Sequence, residues 1–204
     1  MKSIGLFYAT REGHTRTIIG HISERLQGQG FDVEICNVRS PAPVIHFRHY
    51  AGVILAASVH RGEHESEMIR FVRVHRDDLM DTPAAFLSIS LSEAGVERPD
   101  ATPEEHNRFV AEVDGMLERF YTLTGWRPRH VKAVAGALLY TRYNPLIRFV
   151  MKRISKASGG STDTSRDHIY TDWKGLDEFV NSFIASTDEH ERAASSGPDG
   201  GAQH

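Results

Sequence analysis

A short polar turn near the amino terminus contains residue types that bind a phosphate. It reads Thr10, Arg11, Glu12, Gly13, His14 and Thr15, between an apolar run and an amphipathic segment. A strand before it and a helix after it would expose unpaired N–H groups and the positive end of the helix dipole, which favour an anion. Thr10 and Thr15 add hydroxyl donors, and Gly13 permits a close backbone approach or a positive φ. The alternative is an ordinary capped loop.

The elements around this turn predict an α/β domain with a five-stranded, doubly wound parallel sheet. Apolar runs of strand length cover residues 3–9, 31–38, 51–58, 84–91 and 131–139. Helical spacing of apolar residues follows the turn and recurs over 65–79, 103–124 and about 172–186. Strands that alternate with helices imply right-handed crossovers and helices on both faces of the sheet. We expect one domain over residues 1–187.

Two segments exceed a minimal domain of this class. Residues 188–204 are polar and rich in Gly, Ser and charge, and we expect a disordered tail. Residues 140–168 form an insertion before the last helix, and it carries an apolar stripe of Leu146, Ile147, Val150, Met151 and Ile154. Its cations lie mostly off that stripe, as in helices that bind a membrane interface. The alternative is a surface helix packed on the sheet.

Composition excludes several classes of function. The formal net charge of the 204 residues is -3, so no global attraction to nucleic acid is expected. The single cysteine, Cys36, permits no intramolecular disulfide, and we interpret it as a small buried residue of a strand. The first ten residues are too short for a signal peptide, and no apolar stretch is long enough to span a membrane. We expect a cytoplasmic protein, and the sequence leaves a homo-oligomer open.

A competing motif follows the third predicted strand. His60, Glu63 and His64 match the H-x-x-E-H pattern of a zinc peptidase family. Zinc chemistry of that kind needs both histidines on one face of a helix, together with a third ligand. Because the motif follows a strand and contains Gly62, we predict no metal site here.

The turn at residues 10–15 resembles the phosphate loop of flavodoxins. Its single glycine matches neither the GxGxxG pattern of dinucleotide sites nor the GxxxxGKS/T pattern of nucleoside triphosphatases. The resemblance implies a flavodoxin-like fold that binds FMN, with the flavin ring held by the loops after strands three and four. Those loops contain Ser58, Val59, His60, Arg61 and Gly62, and Ser88, Ile89, Ser90 and Leu91. His60 is the expected ring neighbour and a candidate catalytic residue, and the alternative is a solvent-exposed loop histidine.

Later blocks narrow this resemblance. The segments WRP at 126–128, AGALLY at 135–140, SGGSTDT at 158–164 and YTDW at 170–173 resemble the FMN-containing, quinone-dependent protoporphyrinogen oxidase family of bacteria. The likeness covers roughly residues 2–186. It implies oxidation of protoporphyrinogen IX to protoporphyrin IX in haem biosynthesis, with electrons passed to menaquinone or another quinone at the inner face of the cytoplasmic membrane.

The insertion is the segment expected to meet substrate or lipid. Its candidate contacts are Arg142, Tyr143, Arg148, Lys152, Arg153 and Lys156, whose cations could pair with porphyrinogen propionates or lipid phosphates. One alternative function is an FMN electron carrier or quinone reductase without a porphyrin substrate. A further alternative is a binding module of the same fold that holds no flavin.

Overall fold

The computed structural model describes residues 3–40, 45–142 and 163–195, with side chains for all of these except residues 142 and 190–195. The strands in these ranges are β1 (Ser3–Ala9), β2 (Asp32–Asn37), β3 (Gly52–His60), β4 (Glu63–His64), β5 (Ala84–Ser90), β6 (His130–Ala135), β7 (Ala137–Leu138) and β8 (His168–Ile169). The helices are α1 (His14–Gly28), α2 (Ser66–Val74), α3 (Arg76–Asp81), α4 (Leu91–Val96), α5 (Pro103–Thr124) and α6 (Trp173–Ser195), with 3-10 turns at Phe47–His49 and Tyr140–Arg142.

The main sheet confirms the predicted doubly wound topology. Its five long strands pair in parallel in the order β2-β1-β3-β5-β6. β4 turns back antiparallel on the end of β3, and β7 and β8 form a separate two-stranded ribbon. The ribbon brackets the insertion, most of which lies outside the described residues.

Two hydrophobic cores lie on opposite faces of the sheet. Along β1, Leu6 faces the core that α1 and α6 cover, whereas Phe7 faces the core beneath α2, α3 and α5. Because successive side chains of a strand point to opposite faces, a continuous apolar run is what a central strand needs. The helices on both faces were predicted from the same pattern and are confirmed.

Helix α5 has the predicted bounds because its end signals are local. Thr102 and Glu105 form a reciprocal capping box, Pro103 occupies the first turn, and Gly125 ends the helix at a φ of 66°. The predicted single helix over 65–79 is wrong, since His75 leaves the helical conformation and separates α2 from α3. Apolar periodicity continues across the break to buried Leu79, so the pattern does not reveal it.

The predicted strand over 131–139 is also interrupted. β6 ends at Ala135, and Gly136 then passes close to the end of β5, where its N–H donates to the Ser90 carbonyl at 2.8 Å. A Cβ at position 136 would lie 3.3 Å from that oxygen. The carbonyl of Gly136 accepts from Tyr170 N–H at 3.1 Å, so the chain leaves the main sheet here and enters the β7–β8 ribbon.

The carboxyl-terminal helix corrects two further expectations. α6 continues to Ser195, so residues 188–195 are helical and the predicted disordered tail is wrong for them. Asp172 caps the start of the helix through the Gly175 N–H, at 3.0 Å. Cys36 is half-buried on edge strand β2 and not fully buried as predicted. Partial burial, aided by the nearby Glu34 carboxylate, raises the pKa of its thiol.

The packing of α6 beyond residue 186 gives a first prediction. A Cβ added at Gly52 would lie 2.8 Å from Thr187 Cγ2 and 3.1 Å from Phe183 Cζ. We therefore expect Gly52→Ala to lower the free energy of unfolding by about 1–3 kcal/mol in chemical denaturation.

Gly20→Ala is the matched control, because no heavy atom lies within 4 Å of the added Cβ. In the interior of α1 it should raise the free energy of unfolding by about 0.5–1 kcal/mol. A Gly52→Ala protein as stable as the wild type would contradict this packing of α6 against β3.

Candidate functional site

The carboxyl ends of the central strands meet at one edge of the sheet. Ala9 pairs with Ala57, and Ser58 pairs with Ile89, so the loops after β1, β3 and β5 begin at the same level. In open α/β sheets this is the edge where ligands bind. The three loops named from the sequence are therefore neighbours.

The turn before α1 has the features of an anion site. Gly13 is the N-cap with a left-handed φ of 96°, and its N–H donates to Thr10 Oγ1 at 3.1 Å. The first intrahelical donor to Gly13 O is Thr17, at 3.3 Å, which leaves the N–H groups of the preceding turn without helical acceptors. Thr15 is 1% exposed, and its buried Oγ1 has no hydrogen-bond partner among the described residues. A phosphate would satisfy these donors.

His14 ties this turn to the segment before α6. Its Nε2 lies 2.8 Å from Thr171 Oγ1, and the Thr171 hydroxyl donates to the Ala135 carbonyl at 2.8 Å. Because that hydroxyl proton is already committed, Nε2 of His14 carries the proton and donates to Thr171. The His14 side chain is thus a buried structural link, and its contribution to ligand binding would come from its backbone N–H.

The segment at residues 58–62 forms the tip of a hairpin. Val59 pairs with His64 and His60 with Glu63, and Arg61 and Gly62 between them have φ values of 54° and 79°. Two successive positive φ values fit a type I′ turn. Residues 60 and 64 are on opposite faces of this hairpin, so the segment does not provide the helical face that the zinc motif requires. Among the described residues, no group of three or more His, Cys, Asp or Glu side chains is placed to hold a metal ion.

A buried carboxylate that the sequence analysis missed lies behind this hairpin. The Glu65 side chain is 0% exposed, and its two oxygens contact Arg11, Ser58 and His60. Burial alone would raise the pKa of Glu65, but contacts from His60, Arg11 and Ser58 outweigh it and hold the pKa below its usual value. The carboxylate is therefore ionised at neutral pH.

The remaining residues at the edge have mixed roles. Ser88 and Ile89 have buried side chains, so any ligand contact they make would come from backbone groups. The Ser90 hydroxyl caps α4 by accepting from Glu93 N–H at 3.1 Å, and Leu91 begins that helix. Glu12 lies partly exposed in the turn before α1. Arg39, also missed in the sequence, donates through Nη1 to the Thr10 carbonyl at 2.9 Å.

The insertion residues cannot be placed at this edge. Arg142 ends the short 3-10 turn, and its side chain lies outside the described part of the protein. The other candidate contacts lie outside the described residues: Tyr143, Arg148, Lys152, Arg153 and Lys156.

Comparison with known proteins agrees with this geometry. A family model described as a flavodoxin domain matches residues 5–165. Over 190 residues the chain is 33% identical to protoporphyrinogen IX dehydrogenase (quinone) of Escherichia coli strain K12, covering 93% of this chain and 98% of that protein. The chain belongs to the quinone-dependent protoporphyrinogen IX dehydrogenase family.

A more distant relative and a solved structure extend the comparison. A protein of the same name from Leishmania major is 29% identical over 181 residues, covering 88% of this chain and 74% of that protein. The structure of a short-chain flavodoxin associated with a non-canonical PDU bacterial microcompartment aligns with a TM-score of 0.50 and 14% identity. That alignment covers 92% of this chain and 99% of the flavodoxin, and it supports the flavodoxin-like fold alone.

The buried half of the hairpin generates a pH prediction. His64 packs on Phe86 and Phe120, and its Nε2 lies 2.9 Å from Ser88 Oγ. Burial lowers the pKa of His64 from its ordinary 6.5 to about 4. As pH falls through this interval, the unfolded chain binds the proton first. The free energy of unfolding should therefore fall by about 2–4 kcal/mol from this residue alone, and the contribution should be constant above pH ~6.5.

Urea denaturation of the wild type and His64→Gln between pH 7 and 4 measures this effect. The variant should lose stability less steeply with falling pH, because glutamine does not titrate. His106→Gln, which removes an exposed histidine of α5, should keep the wild-type slope. Equal slopes for His64→Gln and the wild type would contradict the assignment.

Proposed function

We propose that this protein binds FMN and oxidises protoporphyrinogen IX to protoporphyrin IX in haem biosynthesis, passing the electrons to a quinone such as menaquinone. The observation that carries the proposal is the match over 98% of the length of a quinone-dependent protoporphyrinogen IX dehydrogenase. The edge of the sheet supports it, because the turn at residues 10–15 and the loops after β3 and β5 lie side by side there.

The turn at residues 10–15 fits the FMN phosphate. The N–H groups that follow Gly13, together with the buried Thr15 hydroxyl, would donate to the phosphate oxygens. A side chain at position 13 would be strained at a φ of 96°, so glycine keeps the backbone of this turn accessible. Arg39 braces the turn from outside through the Thr10 carbonyl.

The loops after β3 and β5 would hold the ring. Bound FMN supplies the acceptance of hydride equivalents and their transfer onward as electrons. The hairpin tip at residues 58–62 and the start of α4 would offer backbone groups to the ring. His60 lies at the base of the hairpin tip, with Nε2 3.1 Å from the Glu65 carboxylate and a side chain that is 31% exposed, so it would lie beside the ring.

A peripheral contact with the inner face of the cytoplasmic membrane belongs to the same proposal. A quinone such as menaquinone is a lipid, and the basic, apolar sequence of residues 140–168 suits an interface. No helix among the described residues is long and apolar enough to cross a membrane.

An anaerobic assay tests the proposed activity. The purified protein is reconstituted with FMN and given protoporphyrinogen IX and a menaquinone analogue, and porphyrin fluorescence is followed against a sample without protein. We expect turnover that requires both FMN and quinone. Tight FMN binding with no porphyrin above background would reject the substrate and favour an electron carrier.

Thr15→Val links the activity to the phosphate turn. Loss of the buried hydroxyl should weaken FMN binding by roughly tenfold or more, since a hydrogen bond to a charged group contributes about 1.5–3 kcal/mol. Quenching of FMN fluorescence measures the dissociation constant. Thr17→Val removes an exposed hydroxyl on the same helix and should leave the dissociation constant unchanged.

A further inference from the structure

Glu65 connects two loops that are far apart in the sequence. Its Oε2 accepts from Arg11 Nε at 2.8 Å, and Arg11 belongs to the turn before α1, 54 residues away. Its Oε1 accepts from Ser58 Oγ at 3.0 Å and lies 3.1 Å from His60 Nε2. One fully buried carboxyl group therefore contacts both the phosphate turn and the hairpin that follows β3.

The backbone of Glu65 reinforces this position. Its N–H donates to the Ser58 carbonyl at 3.1 Å, and its own carbonyl accepts from Met68 and Ile69 at the start of α2. Glu65 therefore ends the hairpin and lies at the start of α2. Both backbone connections restrict the conformations open to its side chain. A buried carboxylate is costly unless its partners are retained, so the three contacts resist separation of the two loops.

His60 lies against the same carboxylate. Its buried Nε2 is 3.1 Å from Glu65 Oε1, an ion-pair distance, but it makes no hydrogen bond to any described residue. The tip residues Arg61 and Gly62 project beyond it. Arg11 is 55% exposed at the other end of the same carboxylate. One side chain therefore links the hairpin at residues 58–62 to the turn at residues 10–15, in addition to the pairing of β1 with β3.

We propose that Glu65 is a positioning residue that holds the hairpin at residues 58–62 in register with the turn at residues 10–15, so that one FMN molecule can engage both. The proposal rests on the proposed function, because it requires FMN to bind at this edge. If Glu65 has this role, the affinity gained from the FMN phosphate should depend on how the flavin ring is held, and Glu65 should mediate that dependence.

Comparison of FMN with riboflavin, which lacks the phosphate, measures that dependence. Dissociation constants for both ligands are obtained by fluorescence quenching for the wild type and Glu65→Gln. An amide retains one acceptor but places a donor against Arg11 or against Ser58 and His60. The ratio of the riboflavin to the FMN dissociation constant should fall at least tenfold in Glu65→Gln. A change confined to overall stability would lower both affinities by the same factor and leave the ratio unchanged.

Arg11→Gln provides a second variant that carries little risk to folding, because the side chain is mostly exposed. It removes the connection between Glu65 and the turn at residues 10–15, and it should also lower the ratio of the riboflavin to the FMN dissociation constant. Two controls remove the same charges nearby: Glu63→Gln, whose exposed carboxylate contacts Arg119, and Arg70→Gln on the exposed face of α2. Both controls should keep the wild-type ratio.

A nitrogen NMR measurement on the protein without flavin gives an independent readout. His60 should favour the tautomer protonated at Nε2 in the wild type and lose that preference in Glu65→Gln. If the wild type binds FMN and the ratio of the riboflavin to the FMN dissociation constant is unchanged in both Glu65→Gln and Arg11→Gln, the role of Glu65 is overturned and the proposed function stands. Absence of FMN binding by the wild type would overturn both.

Discussion

The parallel pairing of five strands is the constraint on which the site depends. Because the five long strands of the sheet run in the same direction, the loops after β1, β3, β5 and β6 all emerge at one edge. The register sets them level, with Ala9 beside Ala57 and Ser90 beside Ala135. Burial on both faces of the sheet fixes that register, since a slip of one residue would exchange the two cores. Residues from distant parts of the sequence therefore meet without a second domain.

The edge itself consists of irregular backbone, and buried polar contacts organise it. Three connections cross between loops: Glu65 joins the first turn to the hairpin, His14 joins the first turn to Thr171, and Gly136 joins β6 to the end of β5. Each has at least one buried partner, namely Glu65, His14 and Gly136, so leaving that partner unpaired would cost about 1–3 kcal/mol. The loops are consequently held in place before any ligand binds. Such pre-organisation reduces the cost of binding a cofactor.

The sequence predicts what depends on short-range patterns. The strand positions, the topology and the full extent of α5 follow from apolar periodicity, from the capping box at Thr102 and from Gly125. The turn at residues 10–15 was located in the same way, because its glycine and threonines lie within six residues of one another, and its role in binding a phosphate stays a prediction. The segments at 126–128 and 135–140 predicted a quinone-dependent protoporphyrinogen oxidase, and the similarity to the Escherichia coli protein agrees with that prediction.

The sequence does not predict features that depend on distant partners. Glu65 follows a histidine-rich loop without any distinguishing spacing, and its role depends on Arg11, 54 residues earlier. The end of β6 depends on the approach of Gly136 to Ser90, and the continuation of α6 past residue 186 brings Thr187 next to Gly52, which is distant in the sequence. The H-x-x-E-H motif follows a strand and contains Gly62, which is why no metal site was predicted there. The role of His64 as a neutral core residue depends on its contacts with Phe86 and Phe120, which the sequence does not reveal.

Backbone amide NMR during an FMN titration reports where the ligand lies and so tests the assignment of the FMN site to the carboxyl edge of the sheet. The largest shifts should occur at His14, Thr15 and Arg16, and at residues 58–62 and 90–91. The opposite edge of the sheet has its own cavity, lined in part by Trp126, Arg127 and Arg129, and its amides should not shift. Shifts concentrated there, with none in the turn before α1, would contradict the assignment of the FMN site to the carboxyl edge.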